Sequence, residues 1–508
     1  MLAVAVGYAV LFGVLGVSNH LGLRTQLHDL GHMEQSIWQV TQGHFSMPLS
    51  DPVPFKSRFF QHANVIFYLL APLYALLPSP ITLLILETLT VAAAGVAIFF
   101  LAQHLLGDRR LALLFGVALL LNPMVQDANL YDFHPEVMAC LLYLLALLCL
   151  ETRRWWGYWI AVCLLLFLKE DMIAVVAALG IITIVRVSRR QGWLTIGAAL
   201  AYGAVIGLVS WRALGVPLCG NEFVRFAYLF GKHPATAAAA TRARQASWLA
   251  RFTAKDCWYA VYVGVQGGFL AVFDPLWMLP AAPDVLLNMA DHKLWQSNIS
   301  GVYYSALVVT ALTAAGIYGL KRLRDANSAL AKPLLGFFAL QVAVIGYVFS
   351  PAPYGHFSSW RQFDSQIDRE AFRQIAEQIP ADASLATQNN LGAQFAARSE
   401  IFEYPKDGGQ AAYVLFNIQS PVSRQRPRLF RRRAGMLLSF GKVHSLKYPD
   451  RVLSALMDPA YGVVSFREHF YLLKRGAPRT LNGDALIAAR EDLAAVLPRR
   501  RFPGWSRG

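Results

Sequence analysis

Long apolar runs alternate along the chain with short charged turns. Residues 81–106 and 302–320 are apolar over stretches that suit a bilayer crossing, which takes about 20 helical residues. Shorter apolar stretches lie at 111–126, 137–150, 156–168, 172–185, 193–211 and 334–350. The pattern predicts an α-helical polytopic membrane protein of about 9–11 spans. Residues 1–23 lack a basic start and a small-residue cleavage site, so they read as an uncleaved first span.

The charged turns set the sides. Arg109/Arg110, Arg153/Arg154, Arg186/Arg189/Arg190 and Lys321/Arg322/Arg324 sit in short loops, where basic residues mark the cytoplasm. Counting outward from them places 127–136, 169–171 and the long loop 212–256 on the outer face. The same parity keeps 24–77 outside, although residues 63–77 are apolar. That stretch holds a proline and is short for a crossing, so it reads as a juxtamembrane or re-entrant helix. Asp274-Pro275 splits another apolar stretch, 258–289, which reads as a tight helical hairpin.

After Pro351 the pattern changes to that of a small α/β domain, on the outer side by parity. A helix is expected over 364–378, where Ile367, Ala371 and Ile375 recur at four-residue steps. Strands are expected at 384–387, 400–403, 413–416 and 463–473, with helices at 391–397 and 452–456. The expected organisation is a membrane domain over 1–350 including an outer loop at 24–80, the α/β domain over 351–480, and a basic tail over 481–508.

Composition narrows the classes. Of 508 residues, 56% are hydrophobic and 15% charged, against about a quarter charged in soluble domains. The net charge of +15 fits cytoplasmic arginines and a basic C-terminal part near anionic lipid rather than nucleic acid. Cys140, Cys149 and Cys163 fall in apolar runs, and Cys219 and Cys257 flank one loop and are able to pair if it is oxidised. No Cys/His spacing suggests a metal; no cofactor is indicated, and a divalent metal stays open.

Polar clusters on the outer face are the candidates for chemistry. His28-Asp29 precedes an amphipathic stretch with Leu30, Met33, Ile37 and Val40 on one side and Gln35 pointing away. Asp29 is either the N-cap of a helix lying on the membrane or a catalytic carboxylate. Arg58, Gln61 and His62 precede the re-entrant stretch, where Arg58 is able to clamp a phosphate or to contact headgroups. Asp132 and His134 form a candidate acid/base pair, and Glu136 follows Pro135 in a first helical turn favoured by the helix dipole. Lys169, Glu170 and Asp171 either mark an interface or wall a polar cavity.

The order of several short motifs resembles a bacterial membrane family, domain of unknown function 2079. These are DLG-x3-Q-x2-W at 29–38, QH before APLYAL, FHPE at 133–136, KED at 169–171, YYSAL at 303–307 and IPADASLATQNNLGAQFAAR at 379–398. That family in turn resembles the GT-C integral-membrane glycosyltransferases. The resemblance implies a GT-C-like fold and a sugar donor linked to polyprenyl phosphate. It implies an outer face of the bacterial inner membrane as workplace and an envelope glycan, lipid or protein as acceptor. It puts the catalytic carboxylate of the first outer loop at Asp29; on a glycosyltransferase reading, Arg58 and Lys169 would hold the donor phosphate. Gln61, His62, Asp132, His134, Glu136, Glu170 and Asp171 then line the substrate site. Many such enzymes carry paired acids in that loop, whereas this chain has His28-Asp29-Leu30. A lipid-linked sugar transporter or a non-catalytic envelope scaffold are the rival readings.

Overall fold

A computed structural model describes residues 1–51, 55–216, 218, 254–266, 269–290, 303–356, 358, 360, 363, 368–404, 410–418 and 449–496. The possible Cys219–Cys257 pairing, an arginine-rich stretch at 423–433 and the last residues, 498–508, lie outside them.

The first helix, α1, is Leu2–Leu21. A polar loop follows, containing α2 (His32–Thr41) and α3 (Ile66–Leu76). Then come α4 (Pro80–Leu106), α5 (Arg109–Leu120), α6 (Pro123–Tyr131), α7 (Ala139–Glu151), α8 (Trp155–Leu168), α9 (Met172–Arg186) and α10 (Arg189–Ala213). Local chemistry sets the breaks. The Ser79 side chain caps α4 with Pro80 at its first position, and Gly107 ends it at φ 67°. Asp108 accepts from the amides of Arg110 and Leu111 at the start of α5. Asn122 caps α6, whose axis bends 45° from α5 across Pro123.

Five helices are long and apolar enough to cross a bilayer, or six with α5 and α6 as one bent span. They include α1, α4, α10, α13 (Ala306–Asp325) and α14 (Ala331–Val348). The expected count of about 9–11 spans also takes in shorter apolar helices such as α8 and α9. At about 1.5 Å per residue, α3 is roughly 16 Å long and does not reach across a hydrocarbon core of about 30 Å. It packs on α2 instead. The bundle centres on α13, buried along nearly its whole length, with α4 and α7 against it.

Between α10 and α13 lie α11 (Ala254–Gln266), two 3-10 turns and α12 (Ala282–Ala290). The chain breaks at Asp274, as its proline neighbour requires. Asp274 sits 2.6 Å from Arg186 and 3.9 Å from Arg322. The tip therefore lies at the end of the bundle that carries the basic turns, and the hairpin expectation holds in the described residues.

The C-terminal unit holds α15 (Arg369–Ala376), β1 (Leu385–Thr387), α16 (Asn389–Gly392), β2 (Ile401–Glu403), β3 (Tyr413–Asn417), α17 (Pro449–Met457), β4 (Tyr461–Arg467), β5 (Phe470–Arg475) and α18 (Asn482–Val496). The sheet order is β2-β1-β3-β5-β4. β1 runs parallel to β2 and β3, and β5 is antiparallel to β3 and β4. Three expectations need correction. Residues 463–473 do not make one strand: Glu468 and His469, with φ of 45° and 72°, turn the chain into a hairpin. The helix expected at 391–397 is confined to α16. Residues 482–496 are not a tail but a helix whose Ala485, Ala489 and Leu493 are buried in the domain core.

Candidate functional site

Asp29 lies inside a widened π-helical turn, Leu27–Gly31, closed by a Gly31 amide donating to the Gln26 carbonyl. This turn carries Asp29 out of register with α2. The N-cap position of α2 is Gly31, with no side-chain cap, so the capping role expected for Asp29 is not realised. Its carboxylate instead lies 3.6 Å from His134 Nε2 and is hydrogen-bonded to Tyr131. Nor does α2 lie on a membrane surface. It is buried on nearly every side, and Gln35, expected to point away, donates to the Arg398 carbonyl at 3.0 Å.

His134 is 1% exposed and fixed from two directions. Its backbone amide donates to Glu87 of α4 at 2.6 Å. Its ring stacks on Tyr303, with centroids 3.5 Å apart and planes 19° apart. Nε2 is thereby aimed at Asp29. The expected side-chain pairing of His134 with Asp132 is not formed. His134 Nδ1 faces the backbone carbonyl of Asp132 at 3.4 Å, and the Asp132 carboxylate accepts from the Gln26 amide at 3.0 Å.

The second half of the site surrounds Lys169. Its ammonium lies 3.2 Å from Glu136 Oε1 and 3.2 Å from Asp171 Oδ2. Glu136 therefore has a partner beyond the helix dipole. Glu170 turns the other way, accepting from His62 Nδ1 at 2.8 Å and the Ala63 amide at 2.9 Å. Burial opposes the charge on Glu170, but His62, Lys169 and the Ala63 amide outweigh it and hold the carboxyl well below its usual range. Asp171 goes up, to about 6, because burial and the charges of Glu170 and Glu136 exceed the pull of Lys169. Asp284 of α12 adds a further buried carboxyl within electrostatic reach of Asp171, Lys169 and Glu136.

Arg58 lies within electrostatic reach of Glu136, Glu170, Tyr303 and Asp29, but its guanidinium is enclosed. It is 2% exposed, and its guanidinium donates to Asn64 Oδ1 at 3.0 Å, to Gln61 Oε1 at 2.6 Å and to Met33 Sδ at 3.2 Å. Asn64 donates in turn to the Leu168 carbonyl at 2.7 Å, next to Lys169. In this arrangement the Arg58 guanidinium and Gln61 hold each other and the loop before Lys169.

The α/β domain closes over the polar loop. Ser50 Oγ donates to the Ile401 carbonyl at 2.7 Å and accepts from the Ile401 amide at 2.9 Å, and Asp51 Oδ2 accepts from the Glu403 amide at 2.6 Å. The loop thereby satisfies the otherwise open edge of β2. His28 joins in, with Nε2 2.8 Å from Glu403 Oε2 and its amide donating to Asn389. Sequence reasoning did not place Glu87, Tyr131, Tyr303, Asp284, Asp51 or Glu403 at a site. For Tyr303 the signal was its YYSAL motif, and for Glu87 its charge within an apolar run.

The family described as "Predicted membrane protein (DUF2079)" matches residues 19–428. The chain belongs to this family. The matched stretch contains Asp29, His134, Lys169 and the sheet edge that covers them. No curated protein matches the chain. Among solved structures it is similar to the crystal structure of ArnT from Cupriavidus metallidurans bound to undecaprenyl phosphate. Identity is 15% and the TM-score 0.49, with 93% of this chain and 97% of that one covered.

Proposed function

We propose that this protein is a GT-C-like glycosyltransferase that moves a sugar from a polyprenyl-phosphate donor to an envelope acceptor on the outer face of the inner membrane. The observation that carries the reading is convergence. Asp29 from the first loop, His134 and Glu136 from the loop after α6, Lys169 to Asp171 between α8 and α9, and Tyr303 before α13 gather at one end of the bundle.

The division of labour follows from the contacts. Asp29 is the general base on the acceptor hydroxyl, and His134, held by Glu87 and Tyr303, orients it. Lys169 is the cation for the donor phosphate: its present partners are carboxylates, and a phosphate oxygen is the same kind of acceptor for an ammonium. Asp171, nearer neutrality than an ordinary aspartate, is the partner that yields. His62 and Glu170 fix the Lys169 turn, and Arg58 and Gln61 hold the loop before it. Asp132 holds the loop end at Gln26. Glu87 is the buried carboxylate that a transport reading would use as an ion relay. Its hydrogen bond to the His134 amide gives it a bracing role instead.

The test is to incubate the purified protein with polyprenyl-phosphate sugars and follow donor consumption and acceptor glycosylation. The Asp29→Asn variant should lose about 100-fold or more of turnover, the usual scale for a general base, with an unchanged melting temperature. Turnover equal to wild type in that variant removes the base role, and no donor consumption by wild type with any such donor removes the transferase reading.

A further inference from the structure

His28 and His32 stand about one helical turn apart, at i and i+4. Together with Asp51 they offer donor atoms that all lie within 4.8 Å of one another. A tetrahedral ion with bonds of about 2.0–2.1 Å needs its ligands roughly 3.4 Å apart, so contraction of about an ångström completes the set. We propose that His28, His32 and Asp51, with Glu403 as the fourth ligand, bind a divalent metal of the zinc class that staples the polar loop to the edge of the α/β sheet.

Three features point to a ligand here. His32 is 2% exposed, and its Nε2 is buried with no hydrogen-bond partner. An imidazole nitrogen left so is costly, and a metal would satisfy it. The two rings meet edge-on, 76° between planes with centroids 5.1 Å apart, so they do not stack. Asp51 is fully buried, its Oδ2 oriented by the Glu403 amide at 2.6 Å, the kind of outer contact that fixes a ligating carboxylate.

The donor chemistry selects the ion. Two imidazoles and one or two carboxylates suit zinc and its neighbours cobalt and nickel. Calcium and magnesium demand six or more oxygens. Two carboxylates would leave the loaded site formally neutral, which suits a buried position. Asp29 is not part of the set, because its carboxylate is directed to His134 and Tyr131. The site is thus structural, and it stands or falls independently of glycosyl transfer.

The experiment uses the full-length, tag-free protein in nanodiscs, stripped with a chelator and dialysed against zinc or, separately, magnesium. Bound metal per chain is measured by mass spectrometry, and the melting temperature with and without metal. We expect one zinc per chain, no retained magnesium, a higher melting temperature that chelator reverses, and tetrahedral d–d absorption on loading with cobalt. His32→Gln, Asp51→Asn and Glu403→Gln should each weaken zinc binding at least about 10-fold. Substoichiometric zinc in wild type, or zinc retained equally by His32→Gln and Asp51→Asn, overturns the proposal. Because the wild-type measurement decides alone, a variant that fails to fold does not rescue it.

Discussion

Among single residues, Glu34 shows best how burial dictates chemistry. It sits in α2, fully enclosed, and accepts from the Tyr74 hydroxyl at 2.8 Å. Burial pushes its carboxyl up to about 8, with the Tyr74 bond opposing only in part. The folded pKa thus exceeds the unfolded value of about 4.3. Stability from the neutral carboxyl is fully present below the unfolded pKa and is lost as pH rises through about 8. Glu34→Gln keeps an acceptor for Tyr74 and cannot ionise. Its melting temperature should gain on wild type steadily between pH 4 and 8 and then run parallel. Glu34→Ala should lose on the order of 1–3 kcal/mol at pH 6, where it strands a buried hydroxyl. Parallel melting curves of wild type and the glutamine variant across this range would show that Glu34 is not protonated in the fold. The Asp29–His134 contact belongs to the same scale: His134→Phe preserves the stack on Tyr303 but removes Nε2. It should lower turnover by about 10-fold or more while leaving the melting temperature near wild type, and a wild-type rate would detach His134 from Asp29.

At the scale of elements, what the sequence made legible was whatever local chemistry decides. The break at Asp274-Pro275, the shortness of α3 and the α/β character after residue 351 follow from hydropathy and from proline and turn residues, and all appear in the structure. The polar motifs also pointed to the residues that meet: Asp29, His62, His134 and Lys169 were each singled out from its own stretch. Which of them pair was not legible, because pairing depends on distant segments. Glu403 reaches His28 and Tyr303 reaches His134 only after the whole bundle assembles. Asp29 looked like a cap because a π turn leaves no hydropathy signature. The β4–β5 hairpin was missed because its turn is Glu468-His469, without the Asn-Gly or Asp-Gly that usually marks positive φ. The i, i+4 pair His28 and His32 was the one overlooked spacing that was local. One contact between elements carries a prediction. Gly392 of α16 packs on the π turn so closely that an added Cβ would lie 2.7 Å from Leu27 Cβ. Gly392→Val should cost about 1–3 kcal/mol, push the domain off the loop and impair turnover through Asp29. Normal stability together with normal turnover would mean that the domain does not position that turn.

The whole molecule has two chemically distinct ends. At one, Arg324 donates to the Leu106 carbonyl, Arg153 to the Val187 carbonyl, and Arg186 and Arg322 share Asp274. At the other lie Asp29, His134 and Lys169, with the α/β domain on the loop that carries Asp29. Helices α8 and α9, of 14 and 15 residues, connect these ends and span only about 21–23 Å. If both cross a hydrocarbon core of about 30 Å, the Lys169 turn lies recessed below one membrane surface. Recessed charges must be paired, which accounts for the carboxylates around Lys169, and a lipid-borne phosphate is a ligand able to reach that depth. Short arginine-rich turns stay in the cytoplasm, so the end with Asp29 and its domain should face outward. In a cysteine-free background, Gln378→Cys and Ser399→Cys should react with a membrane-impermeant maleimide on intact spheroplasts, and Arg110→Cys and Arg154→Cys only after lysis. The reverse pattern would put Asp29 on the cytoplasmic side and exclude an outer-face donor, whereas labelling of all four would mean that the two ends are not separated by a bilayer. Either result acts on the transferase proposal directly, because an outward site meets only donors carried across the membrane on a lipid.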